Sequence, residues 1–588
     1  MSTPEYILDS RFAVHLLAVY DITKSSPEIV LPEEIPDFLS RYPAEETVCC
    51  SHNALFDLAI LGWRYGWVAG RLSDTLGMAR ALRTYKSYAL GAVAKELFGY
   101  DSKGDTIHKV AGMSIQGIKN AGLWPTYRTY AMNDVRICSH IYFRLASEFP
   151  EEEARIMDLV LRCAVQPVLH ADVPLLETHL NELRKKKQLL LNDCGYDKAA
   201  LMSTVQFKET LESLGVEIKI KMSATGREVP QFARTDPFME ELLEYDCGDD
   251  DINYKVQTLA AARLSFKSTI EETRAERFVN IAKLPWPGSK PLMPVALRYA
   301  GAHTHRLSGE WRLNLQNLPR DKTKSKLRQA LKAPPGHQLI AADLSQIEAR
   351  IVAVLAGQDA LVDAFRNGQD VYAQFASVVF GRPITKSDDP NERFIGKVAI
   401  LSLGYGSGVP RFNQMVTTQA RQYGIPLEGL FDMRTAERTV NTYRSLFAGI
   451  PQAWRQLDNY LLMYINGNNS NPAMFGPVAI SSRQIELPNS MTLRYEQNDQ
   501  HLYGAKLLEN ISQALARIVI MQAAVRLAKK GLRFVLQAHD ELVFVVLDAQ
   551  VEAAKKTIME EMIRPPEWMP ELPLAVEVGS GNDYASCK

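Results

Sequence analysis

The sequence predicts an α/β domain leading into α+β domains within one multidomain chain, and three observations carry that prediction. The front alternates short apolar stretches with helical periodicity: residues 13–20 and 47–51 read as strands, residues 53–62 and 73–83 as helices. In the middle, Leu339-Ile340-Ala341-Ala342 follows the Pro334-Pro335-Gly336 turn, reads as a short buried strand and ends on Asp343. Toward the C-terminal end, QAHDELVF over residues 537–544 sets Asp540 and Glu541 between the apolar runs 532–536 and 542–547. That is the pattern of a hairpin with an acidic tip. A length of 588 residues leaves room for several such domains.

Composition narrows the function classes. Lysine plus arginine number 67 against 68 aspartate plus glutamate, so any polyanion-binding surface must come from local clustering of charge. Two clusters qualify: Arg184-Lys185-Lys186-Lys187, and Arg320 with Lys322, Lys324, Lys326 and Arg328. A solvated face accounts for either one. The 7 cysteines include no C-x-x-C pair, which speaks against a disulfide framework or a structural zinc site and for a reducing, cytoplasm-like compartment. Cys49-Cys50 fits a core strand. No apolar run is expected to span a membrane, and residues 1–10 lack a signal-peptide pattern. The absence of G-x4-G-K-[ST] disfavours a P-loop ATPase or helicase. Repeats and low-complexity tracts are not evident.

In chain order, residues 6–150 form the α/β block. Residues 151–297 read as mostly helical, with a basic helix around Arg184 and an acidic break over 246–251. After the strand that ends on Asp343, a helix is expected from Ser345. Glu348 would complete a capping box, Ile347, Ile351, Val354 and Leu355 form the buried stripe, and Gly357 stops the helix. A carboxylate at a strand end can hold a metal ion at the rim of a sheet, although an ordinary turn aspartate shows the same local pattern. Asp389-Pro390-Asn391-Glu392 opens a further helix with an N-cap Asp, a Pro in the first turn and a Glu closing the box. Along it Arg393, Lys397, Leu401 and Tyr405 recur on one face. Such a stripe suits an amphipathic edge, and it equally suits a triphosphate with its base. Residues 443–458 and 507–530 continue as helices, the second closing on Lys529-Lys530-Gly531. Residues 572–578 are expected to add a strand to the sheet of the acidic hairpin.

Three stretches together resemble the polymerase motifs of family A DNA polymerases, in the family's order. They are Asp343-Leu344-Ser345-Gln346-Ile347-Glu348-Ala349-Arg350, Arg393-x3-Lys397-x7-Tyr405-Gly406, and His539-Asp540-Glu541. In the front block, Asn53-Ala-Leu-Phe56-Asp57 and Tyr130-Ala-Met-Asn-Asp134 resemble the second and third motifs of the 3′–5′ exonuclease that precedes the polymerase in this family. The resemblance is dense over 298–547, moderate over 47–140 and thin over 151–297, and the wording GKVAILSLGYGSG looks phage-like. It implies an RNase H-like exonuclease domain, N-terminally incomplete, over 1–150, then connecting helices and thumb over 151–297. A right-hand polymerase domain follows, with palm over 298–358 and 461–588 and fingers over 359–460.

What the resemblance implies for single residues is specific. Asp343 and Asp540, with the Leu344 carbonyl, hold two Mg²⁺ ions, for which Mn²⁺ substitutes; Glu541 supports them without being an obligatory ligand. Lys397 neutralises or protonates the departing pyrophosphate, helped by Arg393 and His539, while Gln346, Leu401 and Tyr405 complete the nucleotide site. Glu348 closes off the ribose 2′ position, beside any capping role. Arg306, within Thr304-His305-Arg306-Leu307-Ser308, reaches the minor groove at the primer terminus, where acceptors are nearly sequence-independent. Asn317, Asn510, Gln513, and Lys267 in a thumb-tip-like helix over 259–278 contact DNA. Asn53, Asp57, Tyr130 and Asp134 make the exonuclease-like set. The family's first exonuclease motif, Asp-x-Glu, has no counterpart between Met1 and Asp57, so weak or no exonuclease activity is expected. Leu401 stands where the family usually has an aromatic, which predicts rejection of dideoxynucleotides, and His305 stands where it often has Gly. The implied partners are primer–template DNA, deoxynucleotides and processivity or replisome factors, for a monomer that copies phage DNA in a bacterial cytoplasm. A single-subunit RNA polymerase, a nuclease and a catalytically silent DNA-binding protein are the rival readings.

Overall fold

The run that ends on Asp343 is a central strand of a four-stranded antiparallel sheet. The computed structural model describes all residues except 25, 100–105, 224, 320–324, 468, 470, 497–500 and 588. Strand His337–Leu344 pairs with Glu541–Leu547 on one side and Val576–Gly581 on the other, and Phe534–Ala538 lies beyond Glu541–Leu547. The expected hairpin and added strand are both present, the latter over residues 576–581. Leu339, Ile340, Ala342, Leu536 and Leu542 are fully buried, as expected of strands covered by helices. Helices Gly504–Lys529 and Val551–Met562 pack together, the second also against strands of this sheet.

Two local expectations fail beside Asp343. The strand runs on through Asp343 to Leu344, and the helix begins at Ile347, not Ser345. Its N-cap is Gln346 at φ +50°, with no side-chain cap bond, so no capping box forms. The turn is closed instead by tertiary bonds: Leu344 N–H donates to the Asp540 carbonyl and Ser345 N–H to the Ala575 carbonyl, each at 2.9 Å. Helix Pro390–Ser402 starts where expected, but Asp389 again makes no cap bond. Asp389 accepts from Thr385 N–H at 3.0 Å and from Arg382, which Glu392 also binds.

Residues 359–460 are helical throughout their ordered elements. Helix Pro390–Ser402 lies tightly on Val371–Phe380, where a Cβ on Gly396 would sit 2.3 Å from the Tyr372 carbonyl oxygen. The stretch expected as one helix over 443–458 breaks at Phe447–Ala448 into Met433–Leu446 and Gly449–Tyr460. Helix Gly504–Lys529 corrects the membrane expectation: by length and apolar composition it could cross a bilayer. Since 78% of its apolar window is buried inside the protein, it reads as a core helix.

The chain divides into two compact units, Met1–Leu169 with Pro294–Leu318 and Ala333–Lys588, and His170–Met293 with Pro319–Lys332. Helix Glu151–Val165 belongs to the first unit, where it packs on strands Arg71–Asp74 and Phe534–Ala538 and on helix Gly504–Lys529. The front of that unit holds an antiparallel pair, Leu17–Val19 with Glu28–Val30, and a parallel pair, Val48–Ser51 with Arg71–Asp74. The second unit is mainly helical around Phe207, Leu211, Phe232 and Leu259. The helix expected over 259–278 is two helices, Asp250–Lys267 and Ile270–Ala282.

Candidate active site

Antiparallel pairing brings the two aspartates together from nearly two hundred residues apart in the chain. Asp343 stands opposite Glu541 in the ladder, and the Leu344 N–H···Asp540 carbonyl bond clips the Asp540 turn to the end of the Asp343 strand. Asp343 and Asp540 are half-buried at this rim, whereas Glu541 is 0% exposed and accepts a hydrogen bond from Tyr584. His539, at φ +60°, is exposed at the hairpin tip, and its Nε2 donates to Asn317 Oδ1 at 3.0 Å. Among the described residues no group of three or more His, Cys, Asp and Glu side chains gathers in metal-holding geometry. Asp343 and Asp540 supply two carboxylates at the rim, hard oxygen ligands of the kind magnesium and manganese prefer.

Beside the rim, Glu348 ties three elements. Arg306 donates to its Oε1, and the Tyr405 hydroxyl donates to its Oε2 at 2.8 Å. Ser512 of helix Gly504–Lys529 donates in turn to Tyr405 at 3.3 Å. Burial and the nearby Glu348 charge push the Tyr405 phenol well above its ordinary pKa, which keeps it a donor. A cavity of 220 Å³ opens here, lined by Gln346, Glu348, Leu401, Tyr405 and Asp540 among others. A second, of 140 Å³, runs beneath Arg306, Gln316, Arg517, His539 and Asp540.

Of the expected face of helix Pro390–Ser402, Leu401 and the following Tyr405 line the cavity, whereas Arg393 and Lys397 are not among its lining residues. Tyr405 lies past the helix end, in the 3₁₀ turn Leu403–Tyr405. Arg393 is held by Asp370, Nε to Oδ2 at 2.6 Å, and lies 5.3 Å from the Tyr372 ring centre. Lys397 and Leu401 are exposed, Leu401 at 41%. Gln346 accepts from Arg350 at 3.2 Å, behind the cavity.

The expected DNA contacts divide. Gln513 is half-buried, accepts from Thr304 at 3.5 Å and donates to Glu509 at 3.2 Å, which places it beside the Arg306 segment. Asn510 is 7% exposed and donates to the Tyr495 hydroxyl at 3.2 Å, so its amide serves the interior and not a bound strand. Lys267 is likewise turned inward, donating to the Phe232 carbonyl at 2.5 Å, and burial lowers its pKa. The Arg184 cluster is largely neutralised: Arg184 pairs with Glu272 and Glu276, and Lys187 with Glu272. In the second cluster Arg328 is buried, and Arg320, Lys322 and Lys324 lie outside the described residues.

The exonuclease-like residues do converge, with one unforeseen member. Asp74 closes the strand parallel to Val48–Ser51 and accepts from the N–H groups of Asn53 at 2.9 Å, Ala54 at 3.3 Å and Leu76 at 3.0 Å. Asp57 is exposed and accepts from Ser51, and desolvation by the surrounding protein, reinforced by the Asp74 and Asp134 charges, raises its pKa to about 6. Burial and Asp134 raise Tyr130 to about 12. Sequence reading missed Asp74, Asp370, Ser512 and Tyr584. Asp74 and Asp370 carried the signal of an N-cap before a helix; Ser512 and Tyr584 carried none, since their partners are remote in the chain.

Residues 176–459 match the family described as DNA polymerase family A. "DNA polymerase I, thermostable" of Thermus thermophilus is 28% identical over 276 residues, covering 47% of this chain and 30% of the relative. DNA polymerase I of Pseudomonas aeruginosa is 30% identical over 295 residues, covering 48% and 29% respectively. The chain therefore spans about 30% of the length of the curated relatives it matches. In fold it resembles the POL domain of Pol1 from M. smegmatis, solved in complex with DNA primer-template and dNTP, with a TM-score of 0.65 and 20% identity. That match covers 99% of this chain and 97% of the other.

Proposed function

Because the chain belongs to DNA polymerase family A, through residues 176–459, we propose that it is a template-directed, primer-dependent DNA polymerase that adds deoxynucleotides to a primer 3′-hydroxyl. The observation that carries this reading is the meeting of Asp343 and Asp540 at one sheet rim, where Asp540 lines a cavity shared with Glu348, Leu401 and Tyr405. Two divalent cations, Mg²⁺ with Mn²⁺ as a substitute, would be held by Asp343, Asp540 and the Leu344 carbonyl, and when bound they neutralise phosphate charge and make the primer hydroxyl more acidic. Lys397, with Arg393 behind it, meets the triphosphate and gives the departing pyrophosphate its positive partner. Arg393 must exchange Asp370 for phosphate to do so, which makes Asp370 a holder of the empty state.

Sugar selection falls to Glu348. Its carboxylate, fixed by Arg306 and Tyr405, borders the cavity, where it would close off the ribose 2′ position of a bound nucleotide. Arg306, Asn317 and Gln513 line the path of the primer terminus, with His539 steadied by Asn317. The front block brings together Asp57, Asp74, Asp134 and Tyr130, and because no segment matches the family's Asp-x-Glu motif we assign it little or no primer digestion. Phage-like wording in GKVAILSLGYGSG supports replication of phage DNA in a bacterial cytoplasm by a monomer.

One assay tests the whole reading. A labelled primer annealed to a longer template is incubated with deoxy- or ribonucleotides, with and without Mg²⁺. Extension with deoxynucleotides only, and only with the cation, is the expected result. Equal use of ribonucleotides would make the chain an RNA polymerase, and shortening of the primer in the absence of nucleotides would restore the exonuclease.

A further inference from the structure

A further carboxylate, Glu541, stands in the sheet beside the rim. It is fully buried, stands directly opposite Asp343 and adjoins Asp540 in sequence. The group that reaches it comes from the far end of the chain. Tyr584, only 1% exposed, donates its hydroxyl hydrogen to Glu541 Oε1.

The delivery of Tyr584 is built into the last strand. A Cβ on Gly579 would lie 1.8 Å from the Cys587 carbonyl oxygen, and one on Gly581 would lie 2.1 Å from the Ser586 hydroxyl. Only residues without side chains let the tail fold back across strand Val576–Gly581. Asp583 closes the turn, accepting from Ala585 N–H at 2.9 Å and Ser586 N–H at 2.8 Å. Cys587 anchors the end, its Sγ 3.5 Å from the Leu339 carbonyl on the Asp343 strand. The fold thus carries a phenol into the sheet at the level of the paired aspartates.

We propose that Tyr584 is a positioning residue: its hydroxyl holds the Glu541 carboxylate within the sheet and thereby fixes the placement of Asp343 and Asp540 for binding divalent cations. A buried carboxylate needs hydrogen-bond donors, and one deprived of its phenol swings toward the next positive or polar partner, here the cation site at the rim. Supporting groups behind a ligand set tune cation affinity although they never touch the ion. The consequence for catalysis rests on the polymerase reading above, whereas the effect itself is measurable without DNA or nucleotide.

The experiment measures Mn²⁺ binding to the full chain by electron paramagnetic resonance, followed by steady-state primer extension on the same samples. Tyr584→Phe is expected to weaken Mn²⁺ binding about tenfold, leave KM for primed DNA unchanged and lower kcat at limiting cation. Cys587→Ala disturbs the same tail without touching Glu541, and its Mn²⁺ affinity stays at the wild-type value. Wild-type affinity in Tyr584→Phe overturns the proposal, and so does an equal loss in Cys587→Ala, since packing of the tail would then be the cause. Should Tyr584→Phe fail to fold, Glu541→Leu decides: with no carboxylate for the phenol to hold, Mn²⁺ affinity is expected to fall about tenfold, and wild-type affinity overturns the proposal. Failure of the underlying reading looks different: the wild type itself would show no Mn²⁺ binding that Asp343→Asn removes.

Discussion

Glu348 does the work of several residues because its two oxygens face different elements. With Arg306 on one and Tyr405 on the other, its carboxylate has little freedom, and rigidity is what a steric gate requires. Glu348→Ala is expected to lower the preference for deoxy- over ribonucleotides at least about tenfold, the scale of a single lost contact near the transition state; competitive single-nucleotide incorporation measures it. Asp343→Asn or Asp540→Asn should abolish extension while leaving duplex affinity intact, because duplex binding rests on phosphate contacts elsewhere; gel-shift titration beside primer extension checks both halves. Leu401, exposed on the helix face, predicts that Leu401→Tyr raises dideoxynucleotide use, read as chain termination at fixed nucleotide ratios. Asp57 supplies a pH effect. Its folded pKa lies near 6, above the ordinary 3.8, so the folded chain holds the extra proton between those values. Stability must therefore fall as pH rises through that window and stay lower above it. Asp57→Asn should flatten that slope, as seen in urea midpoints measured across the same interval.

Helix Glu151–Val165 and helix Gly504–Lys529 are joined by a buried ion pair that neither sequence element announces. Glu153 accepts from Arg517, from Tyr299 and, at 2.7 Å, from Asn489, and the pair is nearly inaccessible, with side-chain exposures of 2% and 3%. Burial alone would raise the Glu153 pKa, yet the Arg517 charge and these bonds hold it below the usual range. His305 sits in the same environment, where burial and then the Arg517 charge press its pKa down to about 3, so it stays neutral. Removing one partner strands a charge in the interior. Glu153→Ala is expected to cost about 3–5 kcal/mol, whereas a double replacement by methionines should recover much of that loss; denaturant unfolding of the three variants decides. The helix carrying Arg393 shows the opposite case, an element whose sequence pattern told its position correctly. Its period in Arg393, Lys397 and Leu401 survived intact, and only Tyr405 moved, into a 3₁₀ turn that points its hydroxyl at Glu348.

At the scale of the molecule, the division into two units follows contacts and not the order of the chain. Residues 319–332 return to the unit of 170–293, and helix Glu151–Val165 joins the unit that holds Asp343 and Asp540. Neither excursion shows in composition, because the apolar stripes involved look like those of any amphipathic helix. The expected thumb-tip helix broke at Ser268–Thr269 for a similar reason. Lys267 turned inward to a carbonyl, a choice set by a partner strand-like segment at Phe232 that lies far off in the chain.

Local pattern by itself determined the strand that carries Asp343, the acidic hairpin and the cationic helix face, whereas the residues at the rim were singled out by their resemblance to the family's motifs. Those three elements are written in short-range periodicity and turn chemistry, which neighbouring residues impose on one another. Tertiary structure alone decided which polar groups satisfy each other: Glu348 with Arg306 and Tyr405 in place of a capping box, Asn510 with Tyr495 in place of a DNA strand, Glu541 with Tyr584, and Glu153 with Arg517. A buried polar atom must find a partner wherever the packed chain offers one, and that partner's position in the sequence is set by the fold and not by spacing.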